Sequence, residues 1–189
     1  MRVVQRARRR RSLLRPTAAR VRQAVFNSLA ARIPGSRVLD LFAGSGAFGL
    51  GMLARGAARV VFVEGDAVLA EGIRRRVAKE GWADRAQILT GDVIAAVRRL
   101  DRRGESFDLL FMDPPYGGRW IPRTLRAIAQ TRLVAPGGLI IAEGHWRDRP
   151  GDEAGFRRLR EVRYGETALW YYAGSGEDGH DRGDLSGEF

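Results

Sequence analysis

Short apolar segments alternate with segments of helical periodicity along most of the chain. The apolar runs at 38–42, 60–63, 87–89, 107–112 and 139–142 are too short for helices and are typical of buried parallel strands. Helical patterns are predicted between and after them, from the glycines after 42 to about 55, then over 66–80, 93–100 and 121–131. This alternation predicts an α/β fold with a doubly wound, mostly parallel sheet.

Both ends of this alternating region differ from its centre. Before it, Val21, Val25, Phe26 and Leu29 follow at helical spacing, which predicts a helix with Thr17 as N-cap that ends at Pro34-Gly35. After it, residues 158–164 and 167–173 are two strand-like runs around Gly165-Glu166, typical of an antiparallel hairpin. The hairpin brings the predicted sheet to seven strands.

The positive charge is concentrated in the first fifth of the chain. Of the net charge of +11, residues 1–39 carry 11 arginines and no acidic residue, whereas residues 40–189 carry 22 acidic and 22 basic residues. A basic arm over residues 1–14, with Arg8, Arg9, Arg10 and Arg11 in succession, indicates a phosphate-rich partner. An arginine-rich tail that only adds solubility is the alternative.

Composition also limits the class of protein. A chain of 189 residues is long enough for one domain with a sizeable core, expected here over residues 15–173, while the polar segment 174–189, with net charge −4, is expected to be a disordered acidic tail. The absence of cysteine and the presence of only two histidines disfavour a metal site. The lack of a long apolar run disfavours membrane insertion, and we expect a cytoplasmic monomer.

Acidic side chains and glycines follow the first three predicted strands. Gly44, Gly46 and Gly49 form a G-x-G-x-x-G pattern between a strand and a helix, and Glu64 ends the next strand, where a carboxylate can bind ribose hydroxyls. A nicotinamide dehydrogenase would share these features, but Asp40 would repel its pyrophosphate and would pair with an ammonium group. Asp92, after the third strand, can accept from an adenine amino group. An amine-bearing nucleoside without phosphate, S-adenosylmethionine, fits this set.

The fourth strand ends in Asp113-Pro114-Pro115-Tyr116. The prolines force a stiff, extended exit from the strand. The carboxylate of Asp113 and the carbonyl of Pro114 can accept both hydrogens of an exocyclic amino group and direct its lone pair at a methyl carbon, while Tyr116 stacks on the base. This segment predicts methyl transfer to an amino group of a nucleobase, with Asp113, Pro114 and Tyr116 as catalytic residues.

The sequence resembles the bacterial methyltransferase family that makes N2-methylguanine in 16S ribosomal RNA of the small subunit. The matching segments, which run in the same order from about residue 15 to 173, are Arg15-Pro16-Thr17 with the helix to Asn27, Val38 to Gly49, Val63-Glu64, Gly91-Asp92 and Asp113 to Tyr116. The resemblance implies a class I S-adenosylmethionine-dependent fold. Its substrate would be ribosomal RNA or a small-subunit assembly particle.

The resemblance and the motifs together give two sets of binding residues. The predicted cofactor-binding residues are Thr17, Asp40, Phe42, Ala43, Gly44, Gly46, Glu64, Asp92 and Val93. The predicted substrate-binding residues are Arg8, Arg9, Arg10, Arg11, Arg15 and Pro115.

Three positions depart from the family pattern, namely Ala19, Gln23 and Arg76, where the family has an acidic residue, Glu and Asn. Two alternatives stay open from the residues themselves. An adenine-N6 methyltransferase acting on DNA or RNA would use the same chemistry, and a non-catalytic RNA-binding protein would use only the basic arm.

Overall fold

The structure of the protein, a computed structural model, describes residues 18–115, 119–148, 150–151 and 155–174. It contains one seven-stranded sheet of order β3-β2-β1-β4-β5-β7-β6. The strands are β1 Arg37–Leu41, β2 Arg59–Glu64, β3 Ala86–Thr90, β4 Phe107–Met112, β5 Val134–His145, β6 Arg157–Tyr164 and β7 Thr167–Ala173. The first five strands are parallel, and β7 runs antiparallel to both β5 and β6. The predicted mixed sheet with its terminal hairpin is therefore confirmed.

In the part of the chain that the structure describes, one helix precedes β1 and four connect the parallel strands. In the described residues these are α1 over residues 18–28, α2 Ala47–Ala54, α3 Ala67–Lys79, α4 Val93–Arg102 and α5 Trp120–Ala129. Each face of the sheet is covered by its own apolar cluster, because the strands are buried on both sides. One cluster includes α1, α2 and α3, and the other includes α4 and α5. Among the described residues, no helix is long and apolar enough to cross a membrane.

The strand order reverses direction between β1 and β4. From β1 the chain builds outward through β2 and β3, and then crosses back to add β4 and β5 on the other side. In open α/β sheets, ligands bind beyond the carboxyl ends of the strands at such a point. The fold thus places Asp40, near the end of β1, beside the residues that follow β4.

Glycines let α2 lie close to its neighbours. A Cβ atom at Gly49 would lie 2.3 Å from the ring of Phe62 on β2, and one at Gly51 would lie 2.3 Å from the ring of Phe26 on α1. Both distances are shorter than any normal carbon contact, so a side chain at either position would push α2 outward. Phe26 is also covered by Arg55, whose guanidinium carbon lies 3.9 Å from the ring centroid.

Two boundaries differ from the sequence prediction. Helix α1 ends at residue 28, and turns lead on to Gly35. Near this end the Ser28 hydroxyl donates to the Val25 carbonyl at 2.9 Å and lies 3.0 Å from the Tyr171 hydroxyl, while the Leu29 N–H still donates to the Val25 carbonyl at 3.1 Å. Strand β5 begins at Val134, five residues earlier than predicted, because Pro136-Gly137-Gly138 forms an irregularity within the strand.

At the amino ends of the strands, an acidic residue joins two of them. Glu105 precedes β4 and forms ion pairs with Arg37 of β1 and with Arg59 of β2, the latter at 3.2 Å. The Glu105 side chain is largely buried, and its arginine partners are each more than one third exposed. This contact lies at the edge of the sheet opposite the predicted site.

Candidate active site

A pocket of about 230 Å³ opens beyond the carboxyl ends of β1, β4 and β5. Helix α1 covers one side of it, and the loop between β1 and α2 forms another. The lining residues are Ala18, Arg22, Asp40, Phe42, Ala43, Gly44, Ser45, Ala47, Phe48, Phe111, Asp113 and Glu143. Three carboxyl groups therefore face one small cavity together with one arginine.

Asp40 lies deepest in this group. It is 1% exposed, and its carboxylate accepts a hydrogen bond from the backbone N–H of Gly49 at 3.0 Å. Burial raises the pKa of Asp40 to about 8, the Gly49 bond opposes this effect, and the nearby Asp113 and Glu64 charges add to it. A buried carboxyl group in this state gains most from a ligand that brings a positive charge.

The loop after β1 is held in an unusual backbone conformation. Phe42, Gly44 and Gly46 have φ values of 62°, 56° and 76°. Positive φ is easy for glycine but is strained for phenylalanine, so the tertiary structure imposes it at Phe42. The Gly46 N–H donates to the Ala43 carbonyl at 2.7 Å and tightens the turn. Because Gly44 and Gly46 have no side chains, a ligand in the pocket can approach the backbone of this loop closely.

Glu64 lies at the end of β2 and supports this loop. One carboxylate oxygen accepts from the Gly44 N–H at 2.6 Å, and the other accepts from the Asp66 N–H at 2.8 Å. Both bonds fix the orientation of the side chain. Each carboxylate oxygen has two acceptor sites, so Glu64 retains capacity for a ligand hydroxyl.

Asp92 and Val93 lie farther along the same edge and do not line the pocket. Asp92 is the N-cap of α4, where its carboxylate accepts from the Ala95 N–H at 2.9 Å. It remains exposed, which leaves its second oxygen accessible. The Val93 side chain is buried in the core, so the backbone of this residue is the part available to a ligand.

The end of β4 brings Asp113 into the pocket. Pro114 is buried and Pro115 is exposed. Asp113 is in contact with solvent, yet the protein around its carboxyl group restricts hydration and raises its pKa to about 6. At neutral pH a carboxyl group with this pKa is largely ionised, which suits it to accept hydrogen bonds.

Several predicted residues lie outside the described part of the chain. These are Arg8, Arg9, Arg10, Arg11, Arg15, Thr17 and Tyr116, and both predicted terminal segments except Gly174.

Sequence reasoning missed two charged residues of the pocket, Arg22 and Glu143. Glu143 is the first polar residue after the apolar run of β5, and the strand-end rule that selected Asp113 also applies to it. Arg22 is one of several arginines on α1, and nothing in the sequence distinguishes it from the others. Burial and the Asp113 charge raise the pKa of Glu143 to about 8, and Arg22 lowers it.

Aromatic residues form the wall beneath the carboxyl groups. The ring of Phe48 stacks on Phe111 with centroids 3.8 Å apart, and on its other side it stacks on Phe26 at 5.6 Å. Phe42 meets Trp120 edge to face at 5.6 Å. Of these rings, Phe42, Phe48 and Phe111 line the pocket together with Asp40.

The departures from the family pattern lie outside the pocket. Ala19 is exposed, and Gln23 donates to Asn27 on the surface of α1 at 2.8 Å. Arg76 of α3 reaches the glycine loop, where its guanidinium donates to the Ser45 carbonyl at 3.3 Å. It therefore supports the outer side of the loop.

The chemistry of the pocket fits a cationic, phosphate-free ligand. Asp113 would repel a pyrophosphate, and Asp40 and Glu143 would become more ionised beside a positive charge. S-adenosylmethionine brings such charges, since it has an ammonium group and a sulfonium centre. Its ammonium group can be held by Asp40, its ribose hydroxyls by Glu64 and its adenine by Asp92. Among the described residues, no three His, Asp or Glu side chains are arranged to hold a metal ion.

Comparison with known proteins extends this interpretation. The family model described as conserved hypothetical protein 95 matches residues 6–173. The chain is 31% identical over 160 residues to ribosomal RNA small subunit methyltransferase D of Escherichia coli K12, covering 84% of this chain and 79% of the relative.

Two solved structures share most of the fold. The yhhF protein of Escherichia coli has a TM-score of 0.76 at 27% identity, and the match covers 84% of this chain and 88% of the yhhF chain. A conserved hypothetical protein of Streptococcus pyogenes has a TM-score of 0.73 at 29% identity, with coverage of 85% and 99%. The predicted fold and the prediction of an S-adenosylmethionine-dependent methyltransferase are confirmed. The chain belongs to the conserved hypothetical protein 95 family, which is the methyltransferase family that its motifs resemble.

Proposed function

We propose that this enzyme transfers a methyl group from S-adenosylmethionine to the exocyclic N2 of a guanine in 16S ribosomal RNA. One observation carries the proposal: Asp113, at the end of β4, shares a pocket with the buried Asp40 and the glycine loop. The pocket thus combines Asp40, which can bind the positive charge of the cofactor, with Asp113, which can bind the amino group that is methylated. The sequence similarity to a small-subunit RNA methyltransferase supports the choice of RNA.

The cofactor residues have separate roles in this proposal. Asp40 holds the ammonium group, and Glu64 and Asp92 hold the ribose and the adenine. Phe42, Ala43, Gly44, Gly46 and Val93 provide backbone and ring contacts, and Thr17 adds a further contact. When bound, S-adenosylmethionine supplies an electrophilic methyl group on a sulfonium, and this methyl group is the only part transferred.

Asp113 and Pro114 act on the amino group of the base. The nitrogen lone pair is delocalised into the ring, which makes the free amino group a poor nucleophile. The Asp113 carboxylate and the Pro114 carbonyl accept its two hydrogens and orient the lone pair toward the methyl group. Formation of the C–N bond would be accompanied by cleavage of the methyl–sulfur bond, with the sulfur leaving as a neutral thioether. N2 would lose a proton, which the ionised Asp113 carboxylate is placed to accept. Tyr116 and Pro115 stack against the base.

The substrate is captured through its phosphates. The arginines at positions 8 to 11 and Arg15 neutralise RNA phosphates, which accounts for the concentration of positive charge before residue 40. The target guanine must be unpaired or flipped out to reach the pocket. We propose that the enzyme acts in the cytoplasm as a monomer, with residues 15–173 as its single domain.

Methylation of 16S RNA tests the proposal directly. Small subunits and naked 16S RNA from cells that lack this protein are incubated with labelled S-adenosylmethionine, and the modified nucleoside is identified by mass and retention. We expect N2-methylguanosine at one position. N6-methyladenosine in its place, or no transfer despite tight cofactor binding, would contradict the proposal.

The variant Asp113→Ala separates chemistry from cofactor binding. The variant lacks the carboxylate that accepts the hydrogen bond and the proton of the amino group. The rate of methyl transfer should therefore fall roughly 10²–10⁴-fold, the range for a positioned proton acceptor. Binding of S-adenosylhomocysteine should change by no more than a few-fold. Asp84→Ala, at an exposed position far from the pocket, is the matched control and should leave both quantities unchanged.

A further inference from the structure

Glu143 lies directly beside Asp113. In the parallel pair of β4 and β5, Met112 is the partner of Ala142, so the next residues of the two strands are Asp113 and Glu143. Partner residues on adjacent strands point to the same face and lie about 4.8 Å apart. Both side chains also line the same pocket. A second carboxyl group is therefore within reach of a base held by Asp113.

The strand order places Glu143 on the acceptor side of the pocket. The strands run β1, β4, β5, so Asp113 stands between Asp40 and Glu143. Apart from Thr17, the residues that suit the cofactor belong to β1, β2 and the loops that follow β1, β2 and β3, which all lie on the β1 side of Asp113. The space on the β5 side of Asp113 is thus left for the base, and Glu143 faces it.

The two candidate bases differ next to their amino group. In guanine, the N2 amino group is followed by N1–H, so two adjacent positions donate. In adenine, the N6 amino group is followed by N1 without a hydrogen, so the second position accepts. A carboxylate has two acceptor oxygens and no donor, which matches the guanine edge and repels the adenine edge.

We propose that Glu143 selects guanine by accepting the N1–H hydrogen bond, while Asp113 and Pro114 hold the neighbouring amino group. This inference rests on the proposed function and adds the reason for its base specificity. Asp113-Pro114-Pro115 recognises an amino group on any base, and Glu143 recognises the atom beside it.

The surroundings of Glu143 make this recognition dependent on pH. Burial and the charge of Asp113 on β4 disfavour its ionised form, and Arg22 on α1 favours it. Asp40 shares the pocket, and on β7 the partner of Glu143 is the uncharged Leu169. A protonated Glu143 can direct its own O–H donor at the N1–H donor of guanine, which is unfavourable. Guanine therefore binds best when Glu143 is ionised, and its binding releases the proton of Glu143. Affinity for guanine should rise as the pH increases toward about 8.

Replacement of the target base provides the experiment. Once the methylated position is mapped, RNAs are ligated with guanosine or 2-aminopurine riboside at that position. 2-Aminopurine keeps the amino group at C2 but has an unprotonated N1. The wild-type enzyme should prefer guanine by roughly 5- to 150-fold in kcat/KM, the range for one bidentate base contact.

Glu143→Gln should reverse this preference. An amide offers one acceptor and one donor, which is complementary to 2-aminopurine and mismatched with guanine. The ratio of kcat/KM values is measured for the wild type, for Glu143→Gln and for the control Glu166→Gln in the exposed turn between β6 and β7. The control should keep the wild-type ratio. If Glu143→Gln transfers no methyl group, the ratio of dissociation constants for the two RNAs is measured instead.

The outcomes distinguish this inference from the proposed function. Equal use of guanine and 2-aminopurine by the wild type, or an unchanged ratio in Glu143→Gln, would overturn the role of Glu143 and leave the methyltransferase assignment intact. Absence of wild-type transfer to guanine would overturn the proposed function itself. A reversed or lost preference in Glu143→Gln alone supports the inference, since a purely structural role would lower both rates together.

Discussion

Replacement of Asp40 by asparagine should stabilise the free protein at alkaline pH and weaken its binding of cofactor. Asparagine has nearly the same shape, and its carbonyl oxygen can still accept the Gly49 hydrogen bond. What the substitution removes is an ionisable group that is 1% exposed. The variant therefore isolates the cost of charge in the pocket from the cost of packing.

The magnitude follows from the pKa of Asp40, which is raised from 3.8 to about 8. Between these values the folded protein binds a proton that the unfolded chain has released, so stability falls as the pH rises. Each pH unit corresponds to about 1.4 kcal/mol for one such group. From pH 5 to pH 8, the wild type should lose at most about 4 kcal/mol through Asp40, and Asp40→Asn should not incur this loss.

Urea unfolding between pH 5 and pH 8 measures this difference. The free energies of unfolding of the wild type and Asp40→Asn should diverge as the pH increases, with the variant more stable. Asp84→Asn, at an exposed position, should follow the wild type. Parallel curves for the wild type and Asp40→Asn would refute the reasoning. Calorimetric titration with S-adenosylhomocysteine should show weaker binding to Asp40→Asn by roughly 10- to 150-fold, the range for a charged hydrogen bond.

Further predictions concern packing, an ion pair and the basic arm. Gly49→Ala should destabilise the protein by about 1–3 kcal/mol in urea unfolding, because the added methyl group would clash with Phe62. The control Gly72→Ala, in open space on α3, should stabilise it by about 0.5–1 kcal/mol. Equal effects of the two substitutions would contradict the clash at Gly49. Glu105→Gln should cost about 1 kcal/mol, less at high salt, because its two arginine partners are partly exposed; a cost that salt does not reduce would contradict this. Deletion of residues 1–14 should weaken RNA binding and lower the slope of log K against log salt by roughly 0.7 for each phosphate that the arm neutralises in the wild type, as measured by filter binding; an unchanged slope would exclude the arm from substrate capture.

The sequence predicted the centre of the sheet well because the apolar runs of β2 over 60–63, of β4 over 109–112 and of β5 over 139–142 are compact and are each followed by an acidic residue. Asp40 and Asp113 could be placed at the same edge of the sheet from the alternation of strands and helices, since the carboxyl ends of parallel strands meet at one edge. The adjacency of β1 and β4 comes from the strand order of the structure. The start of β5 was wrong because Pro136-Gly137-Gly138 resembles a turn and only the tertiary structure makes it part of a strand. The end of α1 was wrong because residues 29–35 form turns with local backbone hydrogen bonds, such as that from the Ile33 N–H to the Leu29 carbonyl, and their sequence resembles a further helical turn.

Side-chain environment was the less predictable part of the site. Glu143, like Asp113, is an acidic residue directly after an apolar run. It is not followed by two prolines, which were the feature that indicated a catalytic role for Asp113. The role of Arg22 depends on how α1 lies across the sheet, which periodicity does not determine. An aspartate just before a helix is also typical of an N-cap, and the carboxylate of Asp92 does cap α4 at 2.9 Å.

The close approach of Gly51 to Phe26 limits how this protein can vary. Phe26 is four residues after Arg22 on α1, so a shift of the Phe26 ring would also move Arg22, which lines the pocket. A lineage that acquires alanine at position 51 should therefore carry a smaller side chain at position 26. Mutant libraries that vary the two positions together should yield active combinations that single-site scanning would miss.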